Sequence, residues 1–238
     1  MQCVSSRGRR AGRVMVFVFA ALAGGSALSC APASFARARD GLSDGAISPL
    51  VSRKPTRAHL LGSGDTTYIR QIIDDRDSVL DRWPERIQNP IRVWIEPTVD
   101  TTTAAKFTAA VTSAFAAWEG LGIPVRFRLV ESRNEAEVRV RWVSSLVNRT
   151  GSTTWRANHN GWLQSGDITL ATHLGSGDPI DTRGVRAIAL HEIGHVLGLS
   201  HSDNSQDIMA PLVRVTDISA VDRATVRLLY TYPAGRVR

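Results

Sequence analysis

The first sustained pattern in the chain is an alternation. Ile91, Val93 and Ile95 are separated by Arg92 and Trp94, as on a strand with one buried face. Pro97 ends it, and Asp100 and Thr101 offer caps for a following helix. Phe107, Val111, Phe115 and Trp118 then recur every three or four residues, which draws one apolar stripe along a helix of about 17 residues. Gly120 and Gly122 stop it. Val125, Phe127 and Leu129 alternate again, as do Val138, Val140 and Trp142. Two more strands are predicted, with Arg126, Arg128, Arg139 and Arg141 on their solvated faces. Residues 144–166 are polar, with an edge strand expected around Trp155, and Ile168 and Leu170 mark a further short strand. After a Gly/Asp loop at 173–184, a helix is expected from about Arg183. Ser219 and Asp222 have the spacing of a capping box, and Val221, Ala224 and Leu228 stripe a last helix ending near Tyr230. This order predicts an α+β domain, a mixed sheet packed against helices, over residues 86–238.

The preceding residues read differently. Val14–Ala23 is a ten-residue apolar run behind Arg7, Arg9, Arg10 and Arg13. It is too short for a stable membrane span and fits an export signal over 1–38, with small-residue cleavage patterns at 27–29 and 36–38. Both cysteines, Cys3 and Cys30, fall in this leader. A lipid anchor at Cys30 is the lesser alternative, because the residues before it match a lipoprotein signal poorly. Residues 39–85 show little apolar periodicity and are expected to be a pro-segment or linker. Within them, Asp74, Asp75, Arg76, Asp77, Asp81 and Arg82 read as a solvated mixed-charge face. The sequence LGSGD occurs at 61–65 and 174–178 without matching flanks, and is read as turn chemistry. Composition changes this picture in one respect. The chain carries 29 basic and 22 acidic residues, a net charge of +7, which suggests a polyanion partner. Five of those arginines lie in 1–38, which has no acid. The remainder is nearly balanced, so no nucleic-acid partner is expected.

The chemistry concentrates in His191-Glu192-Ile193-Gly194-His195-Val196-Leu197-Gly198-Leu199-Ser200-His201. Residues four apart on a helix project to one side, so His191 and His195 can aim two imidazoles at one metal. Glu192 adjoins the first of them, where a carboxylate reaches a water at the metal. Gly198 can take a positive φ and turn the chain, which brings His201 back as a third ligand. Three imidazoles leave a tetrahedral position open, the arrangement of a catalytic zinc.

This run resembles the metzincin zinc signature. Ser202 after His201, and Asp207-Ile208-Met209-Ala210-Pro211 beyond it, resemble the matrixin branch. The resemblance is tight over 185–230 and loose over 91–172. It implies a zincin fold with a mostly parallel five-stranded sheet, three helices, and the active-site helix at the floor of a cleft. It also implies a Met-turn at Met209 beneath the imidazoles, and one catalytic Zn2+. Matrixin pro-segments commonly block the zinc with a cysteine, and none occurs between Cys30 and Arg238; Asp65 is the candidate substitute. A second zinc at His159 and His173 lacks the other usual ligands, and calcium at Asp178 or Asp181 competes with helix capping by Asp181. The implied activity is that of an exported metalloendopeptidase, with Glu192 as general base and proteins or peptides as substrates. An extended substrate would pair with the strand near Trp155, and the side chain after the scissile bond would enter a pocket at Pro211, Leu212 and Val213. The alternatives are zinc hydrolysis of a non-peptide or cell-wall amide, and a non-catalytic binding protein on the same fold.

Overall fold

The computed structural model describes residues 56–62, 66–97 and 101–237. The leader with Cys3 and Cys30, the cap candidate Asp100 and the switch candidate Asp65 lie outside the described residues. The elements in chain order are α1 (Arg57–Leu61), α2 (Ile69–Asp75), β1 (Val79–Leu80), β2 (Arg86–Ile95), α3 (Thr101–Glu119), β3 (Val125–Leu129), β4 (Val138–Val143), β5 (Gly151–Ala157), β6 (Leu163–Ala171), α4 (Thr182–Val196), α5 (Ala220–Thr231) and β7 (Gly235–Arg236).

The main sheet runs β3-β2-β4-β6-β5. All its pairs are parallel except β5 with β6, so β5 is an antiparallel edge strand, where the sequence places an edge at Trp155. β6 is longer than its apolar residues suggest. In its polar half, Ser165 pairs with β5 and Gly166 and Asp167 pair with both β5 and β4, and Gly166 admits the side chain of Val196 on α4. The α3 stripe is buried as its periodicity predicts: Phe107, Val111, Phe115 and Trp118 all lie in the core. The Trp118 indole donates to the Leu190 carbonyl at 3.0 Å, which fixes α3 against α4. Asp181 caps α4 by accepting from the Gly184 amide. Ser219 and Asp222 form the expected capping box at α5. The three expected helices are present, and α1 and α2 are additional.

Those two helices correct the linker reading over the described part of 39–85, residues 56–62 and 66–85. Leu60, Ile69, Ile72, Ile73, Leu80 and Trp83 are buried in the same core as the sheet. The charged residues between them correct it further. Arg82 is fully buried; its Nη1 donates to the carbonyls of Tyr230 (2.7 Å) and Tyr232 (2.9 Å), and its guanidinium stacks on the Tyr230 ring at 4.5 Å. It neutralises the open carbonyls at the C-terminus of α5, which a buried helix end requires. Arg76 is buried as well. Their charge suggests solvent, yet long apolar stems and matched acceptors let them sit inside. No helix among the described residues is long and apolar enough to cross a membrane.

Candidate metal centre

Helix α4 carries His191, Glu192 and His195 on buried turns. Their side chains are almost fully removed from solvent, and His201 is nearly so. The chain leaves α4 through the turn foreseen at Gly198. Its φ is +103°, the Gly198 amide donates to the His195 carbonyl, and the Leu199 amide donates to that of Gly194. This is a glycine-terminated helix end of the Schellman type. It returns His201 to the other two imidazoles, with ring centroids 4.8 to 5.1 Å apart.

The nitrogens converge. His191 Nε2 lies 3.1 Å from His195 Nε2 and 3.3 Å from His201 Nε2. At Zn–N bonds of the usual length, tetrahedral ligands stand about 3.3 Å apart, so the cage fits zinc. The opposite ring nitrogens decide which one of each pair faces the centre of the cage. His191 Nδ1 meets the Ile208 carbonyl at 2.8 Å and His195 Nδ1 meets the Leu199 carbonyl at 2.9 Å. A carbonyl can only accept, so each Nδ1 donates, leaving Nε2 lone pairs for a metal. Burial holds His191 down to about 4 and His201 to about 3, and pushes His195 well below its ordinary value. The imidazoles are therefore neutral at neutral pH, as metal ligands must be. Among the described residues this is the group of three His, Cys, Asp or Glu side chains that converge in this way. His159 is exposed and His173 is engaged by the Thr172 hydroxyl at 2.9 Å, so they do not extend it.

Glu192 points at the edge strand. Thr153 of β5 donates to its Oε2 at 2.6 Å, and a Cβ at Gly151 would collide with its carboxylate. Burial raises Glu192 to about 7, against the Thr153 hydrogen bond and the charge of Arg149, which pull it down. Met209 is fully buried, its sulfur packed where Gly194 leaves no Cβ in the way. Its segment is held from α5. The Asp222 carboxylate accepts from the amides of Ile208 (2.8 Å) and Met209 (3.4 Å) and from the Tyr68 hydroxyl (3.1 Å). Asp207 accepts from Ser202 and Ser219. Thus the capping residue Asp222 also sets the carbonyl of Ile208 behind His191. A cleft of about 470 Å3 lies beside α4, walled by Ala187, Ile188, Leu212 and Val213 among others. Of the three residues the sequence names for a substrate pocket, Leu212 and Val213 line this cleft and Pro211 is exposed outside its wall.

Sequence reasoning misses Thr153, Gly151, Arg149 and Arg76 as neighbours of this site, since none stands in the histidine motif. Arg76 reaches it from the N-terminal segment. Its Nη2 donates to the Leu199 carbonyl at 3.1 Å, its Nη1 pairs with Asp81 at 3.2 Å, and its guanidinium lies 4.5 Å over the Trp155 ring of β5. Leu199 O therefore serves both Arg76 and His195. Partners one step behind a metal ligand typically contribute 10- to 100-fold in affinity. Arg76→Ala is expected to weaken zinc binding about tenfold, read by competition against a chromogenic chelator; unchanged affinity would remove Arg76 from the support of His195.

The family model for matrixin, a peptidase family, matches residues 83–231. Metalloendoproteinase 1 of Glycine max is 26% identical over 156 residues, which cover 57% of this chain and 48% of that protein. The chain thus spans about half the length of this curated relative. With the three-histidine cage, the buried methionine turn and a family match over well more than half of its length, this chain belongs to the matrixin family.

Proposed function

We propose that the protein is a zinc-dependent metalloendopeptidase that hydrolyses internal peptide bonds. The observation that carries this reading is a neutral three-imidazole cage fit for zinc on the helix that also carries the buried Glu192, one residue from His191. Zinc, when bound by His191, His195 and His201, supplies Lewis acidity toward water and toward a peptide carbonyl. Glu192 accepts a proton from the attacking water at a carboxylate oxygen. The new C–O bond forms as that proton leaves, and Glu192 returns it to the amine nitrogen when the C–N bond breaks. Its ordinary value raised to about 7 suits both directions of transfer near neutrality. Thr153 orients the carboxylate, and the free edge of β5 offers an extended peptide a strand to pair with. Leu212 and Val213 receive the side chain that follows the scissile bond. Residues 1–38 direct export.

Incubation of the purified zinc-loaded protein with a denatured protein substrate and a peptide library tests the reading. Internal cleavage that stops on zinc chelation and returns on adding zinc is expected. Intact substrates beside digestion of cell-wall material would replace it with the non-peptide amide reading; no hydrolysis of either would favour a binding protein on this fold.

A further inference from the structure

Arg149 precedes β5 and lines the cleft beside α4. Its Nε and Nη1 are buried and have no hydrogen-bond partner. The side chain is only half-buried as a whole, so the cation has lost part of its water without gaining an acceptor. Among the described residues, no acidic side chain lines the cleft. The nearest acidic loop spends its carboxylates locally: Asp178 accepts from the Ser176 hydroxyl and Asp181 from the Gly184 amide. Glu192 feels the charge of Arg149 but is hydrogen-bonded by Thr153. The rest of the wall is mainly apolar, with Leu146, Ile180, Ile188, Leu212 and Val213, and its other charged member, Arg214, is exposed.

An apolar cleft alone would take a leucine-like side chain. A partly dehydrated guanidinium in its wall changes the preferred occupant. Unpaired donors are costly away from water, which leaves the charge of this guanidinium uncompensated, and a carboxylate brought to its accessible side forms the stronger, charge-assisted kind of hydrogen bond. We propose that Arg149 makes this a cleft for acidic side chains, so that the enzyme selects substrates with Glu or Asp directly after the scissile bond. The position named rests on the endopeptidase reading above; the preference for a carboxylate rests on the cleft itself. The methylenes of a glutamate would lie along Ile188 and Leu146, with its carboxylate at the guanidinium.

The test uses three peptides identical except for Glu, Gln or Leu at that position. Two quantities are read: kcat/KM for the zinc-loaded wild type, and Kd for the zinc-loaded Glu192→Gln protein, which reports recognition without turnover. The Glu peptide is expected to exceed the Gln peptide by about tenfold or more in both. Arg149→Ala should bring that ratio within about threefold of unity in Kd as well as in kcat/KM. Arg149→Lys should keep part of the preference, and Arg214→Ala should keep all of it. A Glu preference in binding with no cleavage of any peptide supports the cleft assignment and counts only against hydrolysis. Equal or better binding of the Gln or Leu peptide overturns the assignment. So does a ratio that survives Arg149→Ala, including the case where that variant only shifts the pH profile through Glu192. Loss of the ratio in Arg214→Ala alone overturns it as well.

Discussion

Glu192→Gln is expected to lower peptide hydrolysis about a thousandfold while leaving bound zinc near one ion per chain. A positioned general base typically contributes 10²–10⁴-fold. The amide keeps the shape of the carboxylate, and its carbonyl can still accept from Thr153, which donates to Oε2 at 2.6 Å in the native protein. What it loses is the ability to take up a proton. His191 and His195 do not depend on Glu192 for their orientation, being held through Nδ1 by the carbonyls of Ile208 and Leu199. Folding should be preserved or slightly improved, because burial already works against the ionised carboxylate. Parallel assays of zinc content, melting temperature and cleavage rate check this. Retention of more than about a tenth of wild-type turnover would take the base role away from Glu192.

Gly198→Ala should be the most damaging small change near the site. The native φ of +103° strains any residue with a side chain. A Cβ there would also overlap the Asp81 carbonyl oxygen and press on Leu229. Backbone strain of 1–3 kcal/mol and a clash with main-chain atoms together suggest a loss of about 3 kcal/mol or more. For a domain of this size that corresponds to a drop in Tm of about 6–12 °C. Gly198 stands between His195 and His201, so zinc affinity should fall with stability. Gly175→Ala is the control, since nothing lies within 4 Å of its Cβ position, and it should melt like the wild type. A Gly198→Ala protein that also melts like the wild type would show that this turn relaxes freely.

The histidine motif was legible because its geometry is local. A four-residue helical spacing and one glycine turn place all three rings, and neither depends on the rest of the fold. The strands at Ile91, Val125 and Val138 were legible for a similar reason: each alternates cleanly against one buried face. The segment before them was not. Helix α2 has seven residues, so Ile69, Ile72 and Ile73 give barely two turns of periodicity among charged neighbours, too little to stand out. Arg76 and Arg82 misled because burial of a guanidinium depends on acceptors supplied from far along the chain, at Leu199 and at Tyr230 and Tyr232. The same distance hid Thr153. Asp222 was visible as a cap, but its grip on Ile208 and Met209 is a tertiary fact.

The buried arginines also set where this protein can be cut into parts. The stretch that carries the family likeness begins at residue 83, immediately after Arg82. A fragment trimmed to that boundary would keep His191, His195 and His201, yet leave the terminal carbonyls of α5 without their cation, and the Leu199 carbonyl without Arg76. It would also uncover the floor on which Ile69, Ile72 and Ile73 rest. The smallest unit worth expressing therefore starts upstream of α2, whatever the sequence likeness alone would recommend.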